Sequence, residues 1–230
     1  LSKSATLYVR PDLRSTWNDV PTPKDIKYYK PDNVAKTETL PENMAGTSTR
    51  EVFAVSARGR IHANNGLPRN ADLALSASTG WIAAIISDGS DRAECSREGT
   101  RIASQTAASA LKAGIVKFND RLNRAFSSYA EAERRSTLFN EPKILSRPLT
   151  EFLGPVFQKA YYEIEFAASY EHCSAQDYAA TLSIMLYKKF SFGSAVIGAS
   201  VGQCGMAVCD SSLNFYPLGY DSADDFVFRK

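Results

Sequence analysis

The spacing of apolar positions changes several times along this 230-residue chain. Residues 51–57 alternate and are β-rich, which predicts a strand. Residues 71–77 predict a second strand, and Ser78-Thr79-Gly80 a hairpin turn after it. Trp81–Ser87 is an apolar run of Ile and Ala that stops abruptly at Asp88-Gly89. Such a run reads as a fully buried strand, and Asp-Gly as its exit turn. From about Ser96, with Glu98 in the first turn, a helix follows over residues 99–117. Its small-residue stripe, Ile102, Thr106, Ser109/Ala110 and Ala113, lets a helix lie close to a sheet. Residues 125–135 carry mixed charge and predict a second, exposed helical segment. Residues 140–148 break it. Residues 149–170 predict a long helix, because Phe152, Leu153, Val156, Phe157, Ala160, Tyr161 and Ile164 recur at helical spacing. Pro155 is expected near its first turns. Four strands close the series, at 178–187, 194–200, 205–209 and 213–216.

Strands and helices fall in blocks, which predicts an α+β fold rather than an alternating parallel one. Residues 1–50 stand apart. They hold half of the chain's prolines and no apolar period. An extended N-terminal arm over 1–50 and a domain over 51–230 is the expected division. Trp17, Tyr28 and Tyr29 are the arm's aromatic anchors, for its own domain or for a partner.

Composition narrows the function classes. The apolar share of 44% is ordinary for a globular chain, and the formal net charge is only +2. Arg134-Arg135 and the trio Arg58, Arg60 and Arg69 are too sparse for more than a local anion site, so no nucleic acid is expected. No apolar run is long enough to span a membrane. Cys95, Cys173, Cys204 and Cys209 lack Cys-x-x-Cys spacing, which predicts free thiols in a reducing, cytoplasmic setting and no zinc. His172 and Cys173 are sequence neighbours and cannot form a nucleophile pair.

Several short motifs remain, in a definite order. Gly59-Arg-Ile-His62 precedes Asn70-Ala71-Asp72. Then come Asp88-Gly89, Thr181-Leu182 and Val201-Gly202-Gln203-Cys204. In this order the chain resembles the type 2C metal-dependent serine/threonine protein phosphatases, especially their compact bacterial branch. The family order is Gly-x-x-His, Gln-Asp-Ala, Ala-Asp-Gly-x-Gly, Thr-Leu and Val-Gly-Asp-Gly. The resemblance runs from about Val52 to Leu218 and implies a β-sandwich flanked by helices. It also implies two manganese or magnesium ions that activate a water against phosphorus.

The match is incomplete where the metals matter. Asp88 and the Gly89 carbonyl correspond to bridging ligands. Ala71 stands at the next carboxylate position, and Asp72 beside it points to the opposite face if both lie in one strand. Gln203 replaces the Asp of the last motif, and Cys204 its glycine. The family's C-terminal lobe with two further acidic motifs has no clear counterpart, although Asp224-Asp225 could stand in for one. His62 corresponds to a family loop histidine and is expected to tie down that loop. One carboxylate does not hold two divalent ions, so manganese or magnesium is expected to bind weakly or not at all. The resulting expectation is a catalytically degenerate domain that binds a protein partner. The alternative is a metal-dependent phosphatase, active or inactivated by substitution.

Overall fold

The computed structural model describes residues 18–41, 49–135, 142–209 and 212–218. Trp17 and Asp224-Asp225 lie outside the described residues. The centre is an antiparallel sheet in the order β3-β4-β5-β6, formed by Asp72–Ser78, Trp81–Ser87, Leu182–Phe190 and Gly193–Val201. The register sets Ala83 against Leu186 and Ile85 against Ile184. All four are fully buried, on the face that the helices cover. Period-two burial of this kind fixes the register, because a slip of one residue would turn the whole set to the other face.

Two helices cover that face. The short helix α1, Arg60–Asn64, lies in the loop before the sheet. Helix α2, Ser96–Arg134, and helix α3, Pro142–Tyr170, pack on one another, and α2 packs on β3 and β4. The expected break within α2 does not occur. Residues 118–134 contain no glycine or proline, and Leu111, Ile115, Leu122, Phe126 and Ala130 form one buried stripe across the junction. The start of α3 is earlier than expected, so Pro148 and Pro155 both lie inside the helix. An internal proline costs about 3 kcal/mol. Burial of Leu145, Leu149, Phe152, Leu153 and Val156 offsets this, at roughly 1.5–3 kcal/mol for each large side chain. At the other end of α2, Gly99 permits a close approach. A Cβ there would come within 2.0 Å of the Tyr178 carbonyl oxygen. Tyr178 closes a 3₁₀ turn, Ala175–Tyr178, where a strand was expected to begin. Ser174 caps this turn, and its capping box draws the backbone out of the extended form.

The second sandwich layer lies on the outer face of the sheet and comes in two pieces. β1 (Asn33–Pro41) pairs with β2 (Thr49–Ala57), and the hairpin contacts β3 and β4. β7 (Met206–Cys209) pairs with β8 (Phe215–Leu218), and Met206 and Leu218 lie over Gly198 of β6. The chain is thus α+β, a sandwich with its helices on one side. The division expected at residue 50 falls inside β2. Residues 18–32 also pack on the domain. Arg58 pairs with Asp19 and Asp32 and donates to Thr22 Oγ1 at 2.6 Å. Many contacts of residues 18–32 are hydrogen bonds and ion pairs, beside the packing of Tyr28 and Val20, so this part leaves no apolar period to read. No helix among the described residues is long and apolar enough to cross a membrane.

Candidate functional site

Antiparallel pairing brings the motif residues to one end of the sheet. Asp72 opens β3 opposite Ser87, the last residue of β4. Asp88 and Gly89 follow, and Gly89 bridges to Ala180 just before β5. Thr181 N donates to the Asp88 carbonyl at 2.8 Å, and Asp88 N donates to Thr181 Oγ1 at 3.1 Å. Thr181 is also the neighbour that a Cβ on Gly202 would strike, at 2.8 Å. Gly202 has a φ of +87°, which glycine adopts readily, and it turns the chain out of β6 towards Gln203. Thr181 therefore stands between Asp88 and the Gly202-Gln203 turn. Sequence order alone gave it no such place.

The two carboxylates at this end have opposite surroundings. Asp72 is turned inward, beneath the helix layer. Lys30 Nζ lies 3.2 Å from Asp72 Oδ2 and donates to Thr100 Oγ1 of α2 at 2.6 Å. Arg69 Nη1 lies 3.6 Å from Asp72 Oδ1. Lys30 and Arg69 are both buried. Burial pulls the Lys30 ammonium down from its ordinary range to about 8, against the opposing pull of Asp72. Arg69 also donates to the carbonyls of Pro31 and Ala71 and to Ser56 Oγ. Asp88, by contrast, is exposed, and its carboxylate has no hydrogen bond or ion pair among the described residues.

Next to Asp88, the Gly89 carbonyl is already engaged. Asn70 Nδ2 donates to it at 2.8 Å, and Ser96 Oγ donates to Asn70 Oδ1 at 3.1 Å. Asn70 is thus fixed at both ends of its amide. His62 Nδ1 donates to the Pro68 carbonyl at 2.6 Å, and its Nε2 lies 3.3 Å from Asp91 Oδ1. The histidine links α1, its own loop and the turn after β4. Gln203 is exposed. Tyr28 reaches Tyr178 hydroxyl to hydroxyl at 3.2 Å, whereas Tyr29 is 42% exposed. None of the four cysteines is in a disulfide among the described residues.

Of the expected metal ligands, Asp88 and Gly89 are adjacent, and Asp72 is committed to two cations on the other side of the strand. Binuclear metal chemistry needs several oxygen donors around each ion. Among the described residues no group of three His, Cys, Asp or Glu side chains is placed to hold a metal ion. Among the described residues, the donors at this end of the sheet do not fit a binuclear centre. Lys30 is the residue that sequence reasoning missed, and Arg69 and Asn70, named from the sequence, gain these contacts only in the folded chain. Lys30 is one of five lysines in the polar arm, 42 positions from Asp72, and only the tertiary structure joins them.

No curated protein and no solved structure matches the chain significantly. A family profile described as protein phosphatase 2C matches residues 58–226. That span is well over half of the chain and includes His62, Asp88, Thr181 and Gln203. With the collinear motifs gathered at one end of the sandwich, it places this chain in the protein phosphatase 2C family.

Proposed function

We propose that this chain is a catalytically degenerate phosphatase 2C domain that works by binding another protein. One observation carries the reading: the cations at the motif end of the sheet belong to the protein itself. Lys30 and Arg69 neutralise Asp72, and Asn70 holds the Gly89 carbonyl. A divalent ion entering beside Asp88 would meet that one free carboxylate, a Gly89 carbonyl already held by Asn70, and Asp91 tied to His62 and Asn70, while Asp72 stays with its own cations. Magnesium would retain most of its waters and gain little from one ligand. The alternative, a metal-dependent phosphatase, draws support from the intact frame. Asp88, Thr181 and Gly202 stand together at the sheet end, and Asp88 is open to solvent.

Calorimetric titration with manganese, run beside a phosphopeptide assay, separates the two. The binding-module reading expects no tight manganese site and no turnover. Two tight sites, or turnover that disappears in Asp88→Asn, would overturn it. Gain of activity in the Ala71→Asp, Gln203→Asp double variant would mark an enzyme silenced by substitution.

A further inference from the structure

We infer that the cleft between the N-terminal end of α2 and the C-terminal end of α3 receives an arginine or lysine side chain from a partner protein. This rests on the binding-module reading and gives the partner a chemistry. The cleft has a volume of about 390 Å³. Its aromatic walls come from Tyr28, Phe166 and Tyr170, of which Phe166 is 70% exposed and Tyr170 77%. Glu98, Glu163 and Glu171 supply carboxylates, and Arg101 is the cation in the lining. Arg101 is already committed, with Nε donating to Glu98 Oε2 at 2.8 Å and Nη1 to Gln105 Oε1 at 3.0 Å. Glu163 is exposed and has no hydrogen bond or ion pair among the described residues.

Aromatic faces beside unpaired carboxylates attract a cation that can lie flat on a ring and point its donors at oxygen. The chain's own Lys27 already does this at the rim. Its Nζ sits 4.8 Å from the Tyr28 ring centroid and 2.9 Å from Glu171 Oε2. The Glu171 bond holds the Lys27 ammonium above its ordinary range. Tyr28 is fixed for the purpose, with a left-handed backbone (φ 58°) and its hydroxyl against that of Tyr178. The second seat, formed by Glu163 with Phe166 and Tyr170, has the same chemistry and no occupant among the described residues. Glu98 is paired with Arg101 and Glu171 with Lys27, so Glu163 is the uncompensated charge of the lining, and it favours a basic segment over an anionic one.

The test uses two short peptides, one centred on a pair of arginines and one with glutamates in their place. Both are titrated against the full chain and followed by backbone amide NMR. The arginine peptide is expected to give saturable shifts confined to residues 98–106 and 163–171, weakening as salt is raised. Glu163→Gln and Phe166→Ala should each weaken binding by about tenfold. Both sites are exposed, and an unchanged melting curve checks that the variants remain folded. Equal shifts with the glutamate peptide, shifts elsewhere, or binding indifferent to both variants would overturn the assignment. Phosphopeptide turnover would overturn the non-catalytic reading and leave the cleft's cation binding intact. Loss of arginine-peptide binding without turnover would overturn the cleft alone.

Discussion

The two faces of the β3-β4-β5-β6 sheet share a backbone and differ in almost everything else. The inner face is continuous. Trp81, Ala83, Ile85, Ile184 and Leu186 are fully buried under α2 and α3, and Phe126 and Phe190 lie within about 6 Å of the Trp81 ring. The outer face is covered by two separate hairpins, and Ile86 on this face remains 52% exposed. A cleft of about 380 Å³ opens on this face between Arg50–Val52 of β2 and Ile82, Ala84, Met185 and Tyr187 of the central sheet. The difference separates stability from function. The fold depends on the inner face and the ion cluster beneath it, so the outer layer is freer to change without unfolding the domain.

The contrast can be broken most decisively at Trp81. Trp81→Ala should cost about 3–5 kcal/mol, because it opens a large hole among buried rings. Urea denaturation measures this, and a cost below about 1 kcal/mol would mean that the helices do not hold the sheet. Asp72→Asn comes next, at about 3 kcal/mol, since it leaves Lys30 and Arg69 buried side by side without their counter-charge. A melting temperature unchanged by Asp72→Asn would show that the ion cluster carries no part of the fold.

Lys30 supplies a pH signature. Its pKa is lowered on folding, from 10.5 to about 8, so the folded state releases this proton before the unfolded chain does. Between these values the unfolded state binds more protons, and the Lys30 contribution to stability rises with pH. Below about 8 the ammonium is charged in both states and its burial is fully opposed. Stability of the native chain measured across that window should therefore climb relative to Lys30→Met. Parallel profiles for the two proteins would contradict the burial of Lys30. The smallest effect is expected on the outer face, where Ile86→Ser should cost less than about 1 kcal/mol. A loss comparable to that of Trp81→Ala would erase the distinction between the faces.

Much of the inner face was legible in the sequence. Trp81–Ser87 is bounded as the Ile/Ala run predicts, and Asp88-Gly89 ends it. The chain-order motifs also gather at one end of the sheet, because turn residues sit where strands stop. The continuity of α2 was legible too, in the spacing of Leu111, Ile115, Leu122, Phe126 and Ala130, but mixed charge on the other faces masked it. β1 was hidden for a different reason. Lys36 and Glu38 interrupt its apolar positions, and its place comes from pairing with β2 and from Lys36 Nζ donating to the Leu73 carbonyl. Ionic partnerships such as Lys30 with Asp72 leave no local pattern, since charge acts across space and not along a period.

The division of the outer layer into hairpins has a consequence for how the molecule breathes. Each hairpin is closed by contacts near in sequence, while β4 and β5 are joined across almost a hundred residues. The hairpins can therefore open and re-form as local units, without paying for separation of the central strands. β7–β8, four residues to a strand and largely exposed, is the least protected of them. Its amide protons should exchange with solvent long before those of Ile85 and Ile184. The domain has a rigid keel under the helices and a deck that lifts in sections.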